Sequence, residues 1–369
     1  MKVEAIELMH IRLPLVAPFE TSFGIATDRE CILARVAADS VTGWGECVAD
    51  AAPGYSYEDV ATAWHVLRDY LAPMLLQAPI GDPRDTPARF APVRGHPMAK
   101  AALEAAVWDI AAQQAGLSLS RALGGVRDRV AVGVSIGIQP TPQKLAETAL
   151  AYRRDGYARI KIKIKPGRDL ADARAARRAV PDVPLMVDAN SAYSLRDIEV
   201  LKQLDDLDLL MIEQPLGYDD IYEHSKLQPQ LRTPICLDES IHSPGDARFA
   251  IEAGACRIIN IKQGRVGGLT RAVEVHDACA RRGVPVWCGG MLETGIGRAL
   301  NAALASLPNF ILPGDLSASN RYYREDVIDP PFELNPDSTL TVPTRPGLGV
   351  AVLADRLRRA ALRSEQLKA

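Results

Sequence analysis

The chain has 369 residues, of which 47% are hydrophobic and 24% charged, and a net charge of −3 spread without any basic block. That balance supports one large folded unit or two smaller ones and argues against a nucleic-acid or membrane-surface partner. Cys31, Cys47, Cys236, Cys256, Cys279 and Cys288 form no Cys-x-x-Cys pair and sit in apolar surroundings, so buried thiols are expected rather than disulfides or a zinc site.

The opening MKVEAIELMHIRLPL alternates like a strand and lacks the continuous apolar core of a signal peptide, and no later run approaches the length of a spanning helix, so a cytoplasmic location is expected. Residues 2–15, 23–37 and 42–48 read as strands of a small antiparallel sheet, with Thr42-Gly43-Trp44-Gly45 placed near a hairpin turn. Three helical stretches follow. The clearest spans 98–115, where Leu103, Ala106, Val107 and Ile110 share one face before Gly116 ends it. Residues 1–125 are therefore an α+β unit.

From Val130 short apolar runs alternate with amphipathic helices: VAVGVSIGI, RIKIKIK, PLMVDAN, LDLLMIEQP, PICLDES, RIINIKQG, PVWCGG and FILPGD. A repeat of this kind predicts a parallel barrel, placed at 126–319, and the absence of a GxGxxG in its first unit counts against a dinucleotide fold. Residues 320–369 are expected to return to the first unit.

In RIKIKIK the isoleucines and lysines alternate with the period of a strand, so Lys161, Lys163 and Lys165 lie on one side of it. On a solvent side they would only protect an edge; inside a barrel at least one becomes a chemical group. Lys165, beside Pro166-Gly167, is read as solvated. The polar residues at successive strand ends are Lys163, Asp188, Glu213, Asp238 and Lys262, at intervals of 25, 25, 25 and 24. Strand C-termini of a barrel converge on one mouth, so this spacing gathers five ionisable groups around one cavity. Asp188 or Asp238 alone would pass for a turn or helix cap. Glu213 ends the apolar run Leu209-Leu210-Met211-Ile212, where a carboxylate needs a partner or a metal. Three oxygen ligands without histidine or thiolate suit a hard cation, Mg²⁺ before zinc. A metal between two lysines suits removal of a proton next to a carboxylate. Lys161 and the cation are expected to lower the pKa of Lys163 toward that of a usable base.

These motifs, Lys161-x-Lys163, Asp188-Ala-Asn190, Glu213-Gln-Pro215, Asp238-Glu239-Ser240 and Ile261-Lys262, resemble the enolase superfamily in its muconate-lactonizing subgroup, whose sites combine a Lys or His base with Mg²⁺. WCGGMLETGIGRALNAALASLPNFILPGD and SASNRYY are similar to the N-succinylamino acid racemase and o-succinylbenzoate synthase family. The resemblance implies a modified (β/α)₇β TIM barrel under an α+β capping domain built from both chain ends. It implies Asp188, Glu213 and Asp238 as ligands of Mg²⁺, with Mn²⁺ or another divalent cation able to substitute, and Lys163 and Lys262 as the catalytic pair, with Lys161 beside them. Asn190 matches a supporting polar position, and Ser135, Gly290, Met291 and Leu292 match substrate-lining ones. Arg265 matches an arginine of racemase-capable members. Phe19, in the segment to Gly24, and Tyr55, in Ala52-Pro53-Gly54-Tyr55, match capping loops that meet substrate, and Tyr322 is placed with them. Where mandelate-racemase-like members need a histidine base, Trp287-Cys288 stands instead, which leaves Lys262 as the second base.

The activity so implied is racemisation of an N-acylated amino acid by 1,1-proton transfer, its carboxylate chelated on the metal, together with dehydration to o-succinylbenzoate. Dipeptide epimerase, muconate cycloisomerase, a Schiff-base aldolase using Lys163 or Lys262, and a non-enzymatic barrel remain as alternatives. An epimerase usually carries Asp-x-Asp at the eighth strand end, where this chain reads Gly314-Asp315-Leu316-Ser317. The expected partners are a small-molecule substrate and further copies of the chain.

Overall fold

A computed structural model describes residues 1–369. Strands Val3–Glu20, Ile25–Ala38 and Val41–Cys47 form an antiparallel sheet, and the last strand, Ala361–Lys368, pairs with the first. The chain end thus comes back to its beginning. Alternation puts Ile6, Leu8, Ile32, Ala34 and Val36 on a face that packs against the helix Pro97–Gln114. That helix is buried on more than the one apolar face its sequence pattern predicts, because Glu104, Trp108 and Asp109 also lie inside, between sheet and barrel.

The hairpin turn falls at Asp39 and Ser40, both with positive φ (49° and 66°), and not at 42–45. Gly43 and Gly45 have a different reason to be glycine: a Cβ at either would strike the Ala106 or Ala102 carbonyl of the helix. Close approach, not turning, fixes them.

Seven parallel strands follow in spatial order of the chain, Val134–Ile136, Ile160–Lys163, Leu185–Asp188, Ile212–Glu213, Ile235–Leu237, Ile258–Ile261 and Val286–Cys288. The segment 310–315 closes the ring as an eighth stave. Gly133 N donates to Gly314 O at 2.8 Å on one side, and Asp315 N donates to Cys288 O at 2.9 Å on the other. With helices outside and side chains inside, these strands are buried on both faces. Ile160 and Ile162 face the helices in the main core, while Lys161 and Lys163 face inward. Met186, Met211, Cys236, Ile258 and Trp287 fill the barrel beneath them. All six cysteines are free and buried. No helix is long and apolar enough to cross a membrane.

Buried carboxylates from the first 125 residues seat the cap on the barrel. Glu104 accepts from Leu269 N (2.7 Å), Thr270 N (2.9 Å) and Thr270 Oγ1 (2.6 Å) at the start of the helix Leu269–Ala280. Glu46 accepts from Thr294 N (3.1 Å) and Gly297 N (2.9 Å) at the start of Gly295–Ala305. Each satisfies amides that a helix leaves without partners and sits at the positive end of its dipole. Glu104→Ala, which orphans those buried donors, is expected to cost about 2–3 kcal/mol in a urea titration, and Glu104→Gln, which keeps one acceptor, less. A variant as stable as the parent would remove Glu104 from this joint.

Candidate active site

The barrel mouth opens into a cavity of about 450 Å³ lined on the barrel side by Lys161, Lys163, Asn190, Lys262, Asp315 and Ser135. The cap closes it with Phe19, the 21–28 segment and the 50–55 loop; Gly290, Met291, Leu292 and Tyr322 complete the wall. Every substrate-lining residue anticipated from the sequence therefore reaches one space. Ser135 Oγ is buried there without a hydrogen-bond partner.

Lys161 stands deepest, above the Trp287 ring at 5.0 Å, and its Nζ is 2.5 Å from Asp315, 2.8 Å from Glu213 and 3.0 Å from Asp188. Burial works against its charge, but Asp315, Glu213 and Asp188 outweigh it and hold the ammonium above its ordinary pKa. Its charge is thus spent on three acids. Lys163, two residues up the same face, donates to Asp188 Oδ2 (2.6 Å) and Asn190 Oδ1 (2.8 Å). Burial opposes ionisation of Asp188 as well, yet Lys163 and Lys161 keep its carboxyl far below the usual range.

On the far side Lys262 donates to Asp238 Oδ2 (2.7 Å) and the Tyr55 hydroxyl (3.0 Å), with its Nζ 4.2 Å from the Tyr55 ring centre. Burial lowers its pKa and Tyr55 and Glu239 raise it, with the net shift upward. Arg265 is no surface arginine. It is buried, gives Nε to Ile241 O (2.8 Å) and Nη2 to Asn260 O (2.5 Å), and pairs through Nη1 with Asp238. Asp238 is therefore shared by Lys262, Arg265 and Tyr55.

Strands carrying Lys163 and Lys262 are second and sixth of eight staves, so the two amines approach from opposite walls, with the Asp188, Glu213 and Asp238 staves between them. All donors in that arc are oxygens. Asp188 and Glu213 share the Lys161 ammonium at 3.0 and 2.8 Å, and burial with the Asp188 charge pushes Glu213 up to about 7. Glu239 Oε2 is buried with no partner. An all-oxygen donor set with an orphaned acceptor suits a hard cation in its chemistry. The three acids do not, however, converge on a single cradle: lysines stand between them and the cavity, and both Asp238 oxygens are turned to Lys262, Arg265 and Tyr55.

Several residues with equal claim on the site carry no signal of their own. Asp315, on the closing stave, bridges Arg159 and Lys161 at 2.7 and 2.5 Å and is held far below its usual pKa by both against the effect of burial. It continues the one-acid-per-unit spacing, but beyond Cys288, where the series is interrupted. Asn260 donates to Glu213 at 2.7 Å. Lys165 is not simply solvated, since it reaches Glu20 at 3.0 Å.

Comparison with known proteins agrees with this geometry. Residues 144–356 match the family described as Enolase C-terminal domain-like, and 5–124 match Mandelate racemase / muconate lactonizing enzyme, N-terminal domain. The chain is 54% identical over 351 residues to an o-succinylbenzoate synthase of Geobacillus kaustophilus, covering 95% of this chain and 93% of that one. It is 52% identical over 359 residues to an N-succinylamino acid racemase of an Amycolatopsis species, covering 97% of each. Among solved structures, a dipeptide epimerase of Cytophaga hutchinsonii complexed with Mg and the dipeptide D-Ala-L-Val superposes with a TM-score of 0.91 at 27% identity, over 100% of both chains. With a cap over a closed (β/α)₇β barrel and matches to both halves, the chain belongs to the mandelate racemase / muconate lactonizing enzyme family of the enolase superfamily.

Proposed function

We propose that the protein is a Mg²⁺-dependent racemase of N-acylated amino acids, N-succinylamino acids foremost, which also dehydrates 2-succinyl-6-hydroxy-2,4-cyclohexadiene-1-carboxylate to o-succinylbenzoate. The observation that carries this reading is the placement of Lys163 and Lys262 on opposite staves with three acids on the staves between. The racemase and synthase names of relatives at 52% and 54% identity support both activities. Magnesium is supported by the all-oxygen donor set and by its presence in the epimerase complex.

Asp188, Glu213 and Asp238 would hold the ion, Asp238 giving up part of its grip on Arg265 and Lys262. Bound there, the ion supplies positive charge to a substrate carboxylate as its α-carbon loses a proton. Lys163 takes the α-proton from one face and Lys262 returns one to the other, or the reverse for the opposite enantiomer. In the dehydration Lys163 removes a proton and then serves as acid toward the departing hydroxyl, while Lys262 contributes charge beside the enediolate. Asn190 aims Lys163, and Asp238 with Tyr55 aims Lys262. Phe19, Met291, Leu292 and Tyr322 exclude water from the reacting carbon. Asp315 is neutralised by Arg159 and Lys161, and at the position two residues on Ser317 Oγ donates to Gly133 O (3.0 Å), so this end offers no free acid pair for a dipeptide ammonium. That favours an acylated nitrogen over the epimerase alternative.

Chelation is expected to abolish turnover and Mg²⁺ or Mn²⁺ to restore it, and Glu213→Gln to lose activity while keeping the parent's circular dichroism; full turnover in excess chelator would contradict the metal assignment. In D₂O with N-succinyl amino acid, Lys163→Ala and Lys262→Ala should each lose racemisation by about a hundredfold or more. Each should still exchange the α-proton of one enantiomer, and opposite ones. Proton NMR of the α-hydrogen reads this, and a mutant that exchanges both enantiomers rules out two bases. Because Arg265 and Lys262 share Asp238, Arg265→Gln should slow racemisation more than dehydration, where Lys262 transfers no proton. Equal losses in the two assays would reduce Arg265 to a general binding or folding role.

A further inference from the structure

The third lysine of RIKIKIK has a partner outside the barrel. Lys161, Lys163 and Lys165 step outward along one face of the strand, from the barrel floor to the reacting zone to the rim, and at the rim Lys165 Nζ meets Glu20 Oε1 at 3.0 Å. Glu20 begins the segment 20–24 that roofs the cavity. The pairing of the first two strands shifts register between Pro14 and Phe19 and resumes at Phe19–Ala26 and Glu20–Ile25, so the segment is the tip of this hairpin, and it also leans on the barrel. Glu20 O accepts from Ile138 N at 2.8 Å, and Gly137 passes so close that a Cβ there would lie 2.8 Å from Glu20 N. Two residues on, Ser22 Oγ donates to Asn190 O at 3.2 Å.

Asn190 is the residue that aims Lys163. It holds a left-handed backbone (φ 42°), uncommon outside glycine and maintained only where surroundings fix it. Its amide N donates to Asp188 Oδ1 (3.0 Å), its Nδ2 to Glu239 (3.0 Å), and its Oδ1 receives Lys163 Nζ at 2.8 Å. Its carbonyl, the remaining polar group, is the one that Ser22 takes. A path of hydrogen bonds thus runs from the roof segment to one of the two lysines, while toward Lys262, set by Tyr55 and Asp238 on the opposite wall, the segment offers only the Phe23 ring beside Gly54.

We propose that the Glu20–Lys165 pair straps segment 20–24 to the barrel rim and that the strapped segment positions Lys163 through Ser22 and Asn190. Glu20, Ser22 and Lys165 are positioning residues that touch neither substrate nor metal. The pair is partly exposed, and as an isolated contact it would be worth little. Its leverage comes from fixing a segment whose backbone is already pinned at Ile138, which leaves the strap to decide whether Ser22 reaches Asn190. The second half of the inference rests on the proton-transfer role proposed for Lys163; the strap itself does not.

The test joins a substrate-free readout to a chemical one. Amide hydrogen exchange of residues 19–25 is measured in the parent, Glu20→Lys, Lys165→Glu and the double charge swap, and α-proton exchange in D₂O is followed for each N-succinyl amino acid enantiomer. Lys262→Ala, which keeps only the Lys163-facing exchange, assigns the hand. Each single reversal should speed amide exchange in the segment and slow the Lys163-facing α-proton by about fivefold, the scale of a partly exposed ion pair, while the Lys262-facing rate changes by less than about twofold. The double swap should restore both readouts to near parent values. Ser22→Ala should slow the Lys163-facing exchange without loosening the segment. Unchanged amide exchange in the single variants, or no recovery in the double, overturns the strap. Equal slowing of both enantiomers overturns the positioning of Lys163. A parent protein that exchanges neither enantiomer contradicts the proposed function and with it the positioning of Lys163, while the amide readout still decides the strap.

Discussion

Three ammonium groups inside a protein barrel must be matched by anions, because a buried unpaired charge is among the costliest features a fold can carry. Much of the barrel mouth follows from that constraint. Lys161 is surrounded by Asp188, Glu213 and Asp315, Lys163 leans on Asp188, and Lys262 on Asp238. The anions are matched in turn, since Asp188, Glu213, Asp238, Glu239 and Asp315 face Lys161, Lys163, Lys262, Arg159 and Arg265, and Glu239 keeps an oxygen without a hydrogen-bond partner. A cation bound here would take over acid contacts that the ammonium groups now hold.

The two halves of the molecule bring different kinds of side chain to the cavity. The barrel supplies the ionisable groups from staves whose geometry is fixed by hydrogen bonds on both sides. The cap supplies Phe19 from the tip of its first hairpin and Tyr55 from the loop that follows its third strand. Glu46 and Glu104 hold the cap at a fixed height over the mouth by filling helix starts, so its loops can be short and still reach the lysines. Tyr55 shows how far they reach, since its hydroxyl contacts Lys262 and Asp238 at 3.0 Å each.

Features set by local periodicity were legible in the sequence. Alternation in RIKIKIK placed two lysines inside, and the interval of about one βα unit brought Asp188, Glu213, Asp238 and Lys262 to the same mouth. Features set by closure were not. Asp315 lies on a segment that forms bridges rather than a regular strand, so its acid reads locally as part of a Pro-Gly turn. Gly43 and Gly45 look like turn residues because a glycine required by a neighbouring helix has the same letter as one required by a positive φ. Lys165 reads as solvated because its partner is 145 residues away. Arg265 was placed beside Lys262 by sequence, but its direct partner is Asp238, a contact across two adjacent staves.

The central claim is that two lysines flank one carbon over a carboxylate-bound ion. A crystal structure of the protein with Mg²⁺ and an N-succinyl amino acid tests it most directly. The account predicts Asp188, Glu213 and Asp238 together on the ion, with Lys163 and Lys262 on opposite faces of the α-carbon. An ion elsewhere, or both amines on one face, would contradict it.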